Sequence, residues 1–253
     1  MKLFAAFQIA TVVLAETDGI VDDDVCVFGG VEVDCETKEP LIPALARAGT
    51  RALPDGDRRY ADLKAIHKKM WKVNGLNGKD KFDERQLWAY GCHCHLLGDR
   101  PLSEMGRGAP KDALDNKCKA YKDCQKCVRE KHGDTCIGEF VEYTWKFSSK
   151  NKQFESQDNE SSCSRELFEC DVQFAKDSFN QLRVFDEQYH FFYGGFDNRD
   201  PENCVSTPGI PVEHQCCGGH NKPYHWIGLN KSQCCPDSAG LSGYVADADA
   251  TCE

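Results

Sequence analysis

Three stretches of the chain repeat apolar residues at helical spacing. In 57–73 they are Leu63, Ile66 and Met70, the i, i+3, i+7 rows of an amphipathic helix, and Gly75-Leu76-Asn77-Gly78 breaks it. In 111–131 Leu114, Cys118, Tyr121, Cys124 and Val128 share one face, with Gln125 beside it. Pro110 suits the first turn of that helix, and Asp112 and Asp115 lie near its positive end. In 163–185 Leu167, Cys170, Phe174, Ser178, Leu182 and Phe185 share a face with Asp171 at its edge. Two helices with inward cysteines predict an antiparallel, disulfide-stapled pair. Between them 140–147 alternates, placing Tyr143, Trp145 and Phe147 on one side, and a weaker second strand follows, which predicts a hairpin. The stretch 204–252 has little helical or strand period.

The start, MKLFAAFQIATVVLA, reads as a secretory signal peptide over 1–15, and no later apolar run approaches the ~18 residues of a membrane span. A secreted, extracellular chain is expected. The segment 16–56 is acidic (Asp22, Asp23, Asp24) and carries Cys26 and Cys35; a propeptide and an ordered arm both fit it. Net charge is −10, which argues against nucleic acid and against anionic membrane surfaces. Sixteen cysteines in an exported chain predict disulfides. They fall in groups of two, eight and six, suggesting three covalently separate units, the last a small Cys-rich module over 205–253 with almost no core of its own. Its paired cysteines weakly resemble galaxin-like repeats. Asn159 and Asn230 begin glycosylation sequons.

Tyr90-Gly91-Cys92-His93-Cys94, then Gly106-x-Gly108-x-Pro110-x-Asp112-x-x-Asp115 after an insert, resembles the two signature segments of the secreted phospholipase A2 family. The resemblance covers roughly 57–204. On the partner helix Cys163, Cys170 and Asp171 match the family's C-(x6)-C-D. The family's adjacent histidine and aspartate fall on Tyr121 and Lys122, and the tyrosine after the next cysteine falls on Gln125. Two family cysteines bonded to each other fall on Lys117 and Asp177, so both members of one bridge are absent together. The resemblance implies Cys94–Cys118, Cys124–Cys170, and Cys163 with Cys127 or Cys136. It implies a mainly α, disulfide-rich fold: two long antiparallel helices, a small β-wing, and the Cys-rich C-terminal module appended.

In the family, a histidine takes a proton from the attacking water, an aspartate (here Asp171) orients it, and calcium stabilises the oxyanion. A phenol at Tyr121, with a pKa of about 10, cannot serve as that base at neutral pH, but it can donate a hydrogen bond to Asp171. Lys122 removes a calcium carboxylate and adds an ammonium, costing about 4 kcal/mol per unit charge at ~4 Å, doubled for a divalent ion. The calcium-loop positions His93, His95 and Leu97 have lost the family's glycine pattern, so no metal and no other cofactor is expected. Asp123 points about 100° away from Lys122. His93, His95 and His132 remain as rescue bases to test, although His132 lies about 16 Å along the helix from Tyr121. The metal-like runs 92–95 and 214–220 have adjacent donors unsuited to one tetrahedral ion. The aromatic run 189–192 is expected to be wedged into the core.

These residues imply a non-catalytic member with no intact catalytic residue except Asp171, binding phospholipid or fatty acid, or extracellular matrix or mineral. Two family precedents bear on this: otoconin, an acidic matrix protein of a biomineral, and venom homologues with a lysine at the calcium aspartate, which are non-catalytic and disturb membranes. The acidic balance favours the first. The rival is a calcium-dependent phospholipase A2 that hydrolyses the sn-2 ester; a third reading is a carrier using the acyl channel as its pocket.

Overall fold

The computed structural model describes residues 24–41, 61–95, 106–138, 140–206 and 211–252. The segment 1–15, expected to be a signal peptide, and Leu97 lie outside the described residues. Three helices build the core: α1 (Ala61–Val73), α2 (Ala113–His132) and α3 (Cys163–Asn180). Their apolar stripes meet through Leu63 and Ile66 of α1, Leu114 and Val128 of α2, and Leu167, Phe168 and Phe174 of α3, all buried. Each such side chain contributes about 1.5–3 kcal/mol by leaving water. The links between α2 and α3 run in opposite order along the two helices. Lys117 Nζ meets Asp177 at 3.4 Å, Tyr121 meets Asp171, Cys124 bonds Cys170, and Lys131 Nζ meets Glu166 at 2.6 Å.

The helix limits differ slightly from the pattern. Asp112 caps α2, its carboxylate accepting from the Asp115 N–H at 2.8 Å, so Pro110 lies before the helix rather than in its first turn. Helix α3 stops at Asn180, and tight turns then carry Leu182 and Phe185 back to the core, where Phe185 stacks on Tyr90 at 5.1 Å.

The wing is larger than a two-stranded hairpin. Strands β1 (Cys26–Phe28), β2 (Val31–Val33), β3 (Thr144–Ser148) and β4 (Gln153–Ser156) pair antiparallel in the order β2-β1-β3-β4. Val27 lies opposite Trp145, and both are wholly buried. Phe140 is exposed in the turn before β3. The β1–β2 turn is Gly29-Gly30, both at positive φ; a Cβ on Gly30 would fall 2.8 Å from the Ala61 Cβ. Their N–H groups donate to the Asp62 carboxylate at 3.1 and 2.9 Å, and Trp145 Nε1 donates to it at 3.2 Å. Burial pushes the Asp62 carboxyl up to about 7, against the pull of the Gly30 and Trp145 donors.

The C-terminal region contains strands that its sequence hid: β5 (His214–Cys217) pairs with β6 (His225–Gly228), and β7 (Ser232–Pro236) with β8 (Gly243–Asp247). Cys217–Cys234 laces the two hairpins together, and Cys235–Cys252 ties the tail after β8 back to β7. The expectation of three covalently separate units fails here, because Cys92–Cys204 and Cys127–Cys216 join this region to the helical body. The physical reason is that short hairpins without a full core need a surface to lie on. Strand β6 packs on α2, with Trp226 between the Lys126 ammonium, 3.4 Å from its ring centre, and the stacked His214 imidazole.

The aromatic run 189–192 is also corrected. Its inward position is taken by His190, whose Nδ1 accepts from Phe192 N–H and whose Nε2 lies 2.8 Å from the Arg85 carbonyl. The one-turn helix α4 (Phe191–Gly194) therefore leaves Phe191 and Phe192 exposed, while Tyr189 is half-buried.

Candidate functional site

Helices α2 and α3 present Tyr121 and Asp171 to each other in the buried interior. Tyr121 Oη donates to Asp171 Oδ1 at 2.9 Å, and the Tyr143 hydroxyl donates to Oδ2. Gln125, one turn on from Tyr121, donates from Nε2 to Tyr121 Oη at 2.7 Å. The Tyr121 ring stacks on Phe174 at 4.4 Å. Burial, then the Asp171 charge, hold the Tyr143 phenol protonated well beyond its usual range. A carboxylate held by two phenols is a structural bracket. The Tyr121 oxygen already accepts from Gln125 and gives its proton to Asp171, which leaves it unsuited to take one from water.

Lys122, next on α2, is wholly buried. Asp115 ties the neighbouring loop to the start of α2, accepting from the Cys92 and His93 N–H groups at 2.8 Å each and from Lys111 N–H at 2.9 Å. Gly91 is required at that approach, since a Cβ there would lie 2.3 Å from Asp115 Cγ. His93 Nε2 lies 3.1 Å from the Gly108 carbonyl, and burial pushes its imidazole below the usual range. His95 Nε2 lies 3.0 Å from the Cys92 carbonyl, and Asn198 donates to its Nδ1. The His93 carbonyl accepts from the His95 N–H at 3.0 Å. Leu97 lies outside the described residues. This donor set does not fit calcium, which needs several free oxygen donors: the side chains placed here are a wholly buried lysine and two imidazoles, and the Cys92, His93 and Gly108 carbonyls each already face a nitrogen. Among the described residues no group of three or more His, Cys, Asp or Glu side chains is arranged to hold a metal ion.

The other residues singled out have different partners. Asp123 pairs with Lys119 at 2.6 Å. His132 Nε2 meets Glu166 at 2.7 Å, away from Tyr121. Asn159 and Asn230 are exposed in turns. Of the cysteines, Cys94 bonds Cys118, Cys124 bonds Cys170, and Cys163 takes Cys136, since Cys127 is held by Cys216. Sequence reasoning missed Tyr143 and His67. Tyr143 arrives from another element, so no local spacing announces it. His67 lies on α1 with Nε2 3.0 Å from Ser178 Oγ; burial pushes it down to about 4, so it is neutral at pH 7.

The family model for phospholipase A2 matches residues 69–190. A membrane-associated phospholipase A2 of Cavia porcellus is 26% identical over 150 residues, covering 59% of this chain and 91% of that protein. Its counterpart in Rattus norvegicus is 31% identical over 115 residues, 46% of this chain and 70% of that one. Basic phospholipase A2 homolog 2 of Bothrops asper is 33% identical over 117 residues, 46% and 74%.

Proposed function

The chain belongs to the secreted phospholipase A2 family, and we propose that it is a non-catalytic extracellular member that works by binding rather than by hydrolysis. The observation that carries this reading is the Tyr121 hydroxyl donating to Asp171 at 2.9 Å, in the place where a proton acceptor is needed. The buried Lys122 supports it, because a lysine supplies none of the carboxylate oxygens that a calcium ion requires. On this reading the protein is secreted, with 57–204 as a phospholipase A2-like domain of two long antiparallel helices and a wing. Residues 205–253 form a Cys-rich module docked on it. Eight disulfides and no free cysteine among the described residues suit an oxidising compartment. Among the described residues no helix is long and apolar enough to cross a membrane. Its partners are lipid or fatty acid, or an extracellular matrix or mineral that an acidic surface can engage through weak multivalent contacts. No nucleic acid and no cofactor is involved.

The test is hydrolysis of phospholipid in mixed micelles with millimolar calcium, with and without chelator. No chelator-sensitive release of fatty acid is expected from the wild-type chain. Turnover abolished by chelator overturns the proposal in favour of the sn-2 hydrolase.

A further inference from the structure

A pocket of about 270 Å³ opens between α1 and the segment 76–84, outside the Tyr121–Asp171 centre. Its floor is apolar: Trp71, Leu76 and Phe82, with the Trp71 and Phe82 rings edge to face at 5.1 Å. Its rim is cationic. Lys64, Lys68 and Lys72 recur every four residues along one face of α1, and Lys81 comes from the opposite wall. Like charges at that spacing cost a helix a few tenths of a kcal/mol per pair. On a chain of net charge −10, a row of one positive sign over an aromatic floor is not a generic solvated face.

Two carboxylates line the same pocket, and both are engaged. Glu84 holds Lys64 at 2.7 Å, and Asp83 is held by the Arg85 guanidinium at 2.5 Å. An anion entering the pocket therefore meets Lys68 and Lys72, which make no ion pair among the described residues. At about 270 Å³ the pocket lies just below the usual range of ligand sites, about 300 to 1,000 Å³. That size suits one head group and the first part of one chain, and is too small for a two-chain lipid. The rings of Trp71, Phe82, His67, Phe174 and Tyr121 contact one another in series from the pocket to Tyr121. None of Tyr121, Tyr143 and Asp171 lines the pocket.

We propose that this pocket binds a free single-chain anionic amphiphile, such as a fatty-acid carboxylate, with its head group at Lys68 and Lys72 and its chain on Trp71, Leu76 and Phe82. Lysine serves such a head group as a mobile point charge. The inference is independent of whether the protein hydrolyses lipid.

Calorimetric titration of the full chain with dodecanoate below its micelle threshold tests it, beside acetate and dodecyltrimethylammonium. Saturable one-to-one binding of dodecanoate is expected, with neither control binding. Lys68→Glu/Lys72→Glu, and the milder Lys68→Gln/Lys72→Gln as a check on folding, should each weaken dodecanoate by about tenfold or more. Tyr121→Phe should leave that affinity unchanged. Equal binding of the cationic analogue, unchanged affinity in both lysine variants, or loss in Tyr121→Phe overturns the proposal. Vesicles of phosphatidylglycerol form the last arm: lysine-dependent sedimentation with vesicles, without binding of free dodecanoate, assigns the row to a lipid surface and overturns it too.

Discussion

By the resemblance to the family, Lys117 and Asp177 fall at the two positions of one disulfide, and they meet across α2 and α3 at 3.4 Å, with side chains 34% and 20% exposed. Replacing both, Lys117→Cys/Asp177→Cys, should restore a covalent bridge. The geometry favours it. Each residue lies seven positions from a member of the Cys124–Cys170 bridge, whose Cα atoms are 5.8 Å apart, and seven residues along a helix return to nearly the same face. Because that bridge already closes most of the intervening chain, the new loop is effectively about 15 residues, worth about 3 kcal/mol. The ion pair it removes is worth about 0–1 kcal/mol. A net gain of about 2–3 kcal/mol is expected, or about 0.5 M in guanidinium midpoint for a chain of this size. Thiol titration and non-reducing mass analysis report whether the bond forms, and denaturant unfolding reports the gain. Two persistent free thiols, or a bond that forms with no rise in midpoint, would refute the pairing of these two positions.

The remaining predictions are shorter. Tyr121→Phe removes a buried donor to Asp171 and leaves Gln125 without its acceptor, so stability should fall by about 1–3 kcal/mol, read by denaturant unfolding. Asp62 has a folded-state pKa raised from 3.8 to about 7, so its contribution is fully present below the lower value and is lost as pH rises through the upper one. The difference between wild type and Asp62→Asn should therefore change by up to about 4 kcal/mol between pH 4 and pH 8; a flat difference would mean that the three N–H donors keep the carboxylate ionised throughout. Calcium should not raise the melting temperature: a site occupied at one hundred times its dissociation constant would add about 2.7 kcal/mol, which thermal unfolding with and without 10 mM calcium detects readily.

The three helices were legible because burial imposes a 3.6-residue period, and the Leu63–Ile66–Met70 and Leu167–Cys170–Phe174 rows express it directly. The contact of Lys117 with Asp177 was legible because the resemblance puts both at positions that pair across the two helices. The added hairpin was not, since Cys26–Phe28 and Val31–Val33 are too short to show alternation, and what fixes them is a carboxylate 29 residues beyond β2. The C-terminal strands were hidden because cysteines occupy the positions where apolar alternation would be read. Phe191 and Phe192 were misplaced because aromatic residues suggest core, while the anchor of that turn is His190. At the site, Tyr121, Lys122 and Asp171 could be placed from motif spacing, whereas Tyr143 reaches Asp171 from the segment just before β3, a separate element.

Cys204 is bonded to Cys92, and Cys216 to Cys127. A backbone cut anywhere from 205 to 215 therefore severs the polypeptide without releasing a fragment. A nicked molecule migrates with an intact one until reductant is added, and the two pieces part only then. A cut at this junction would leave the ensemble in one piece, so a single band on a non-reducing gel says nothing about whether the main chain is whole.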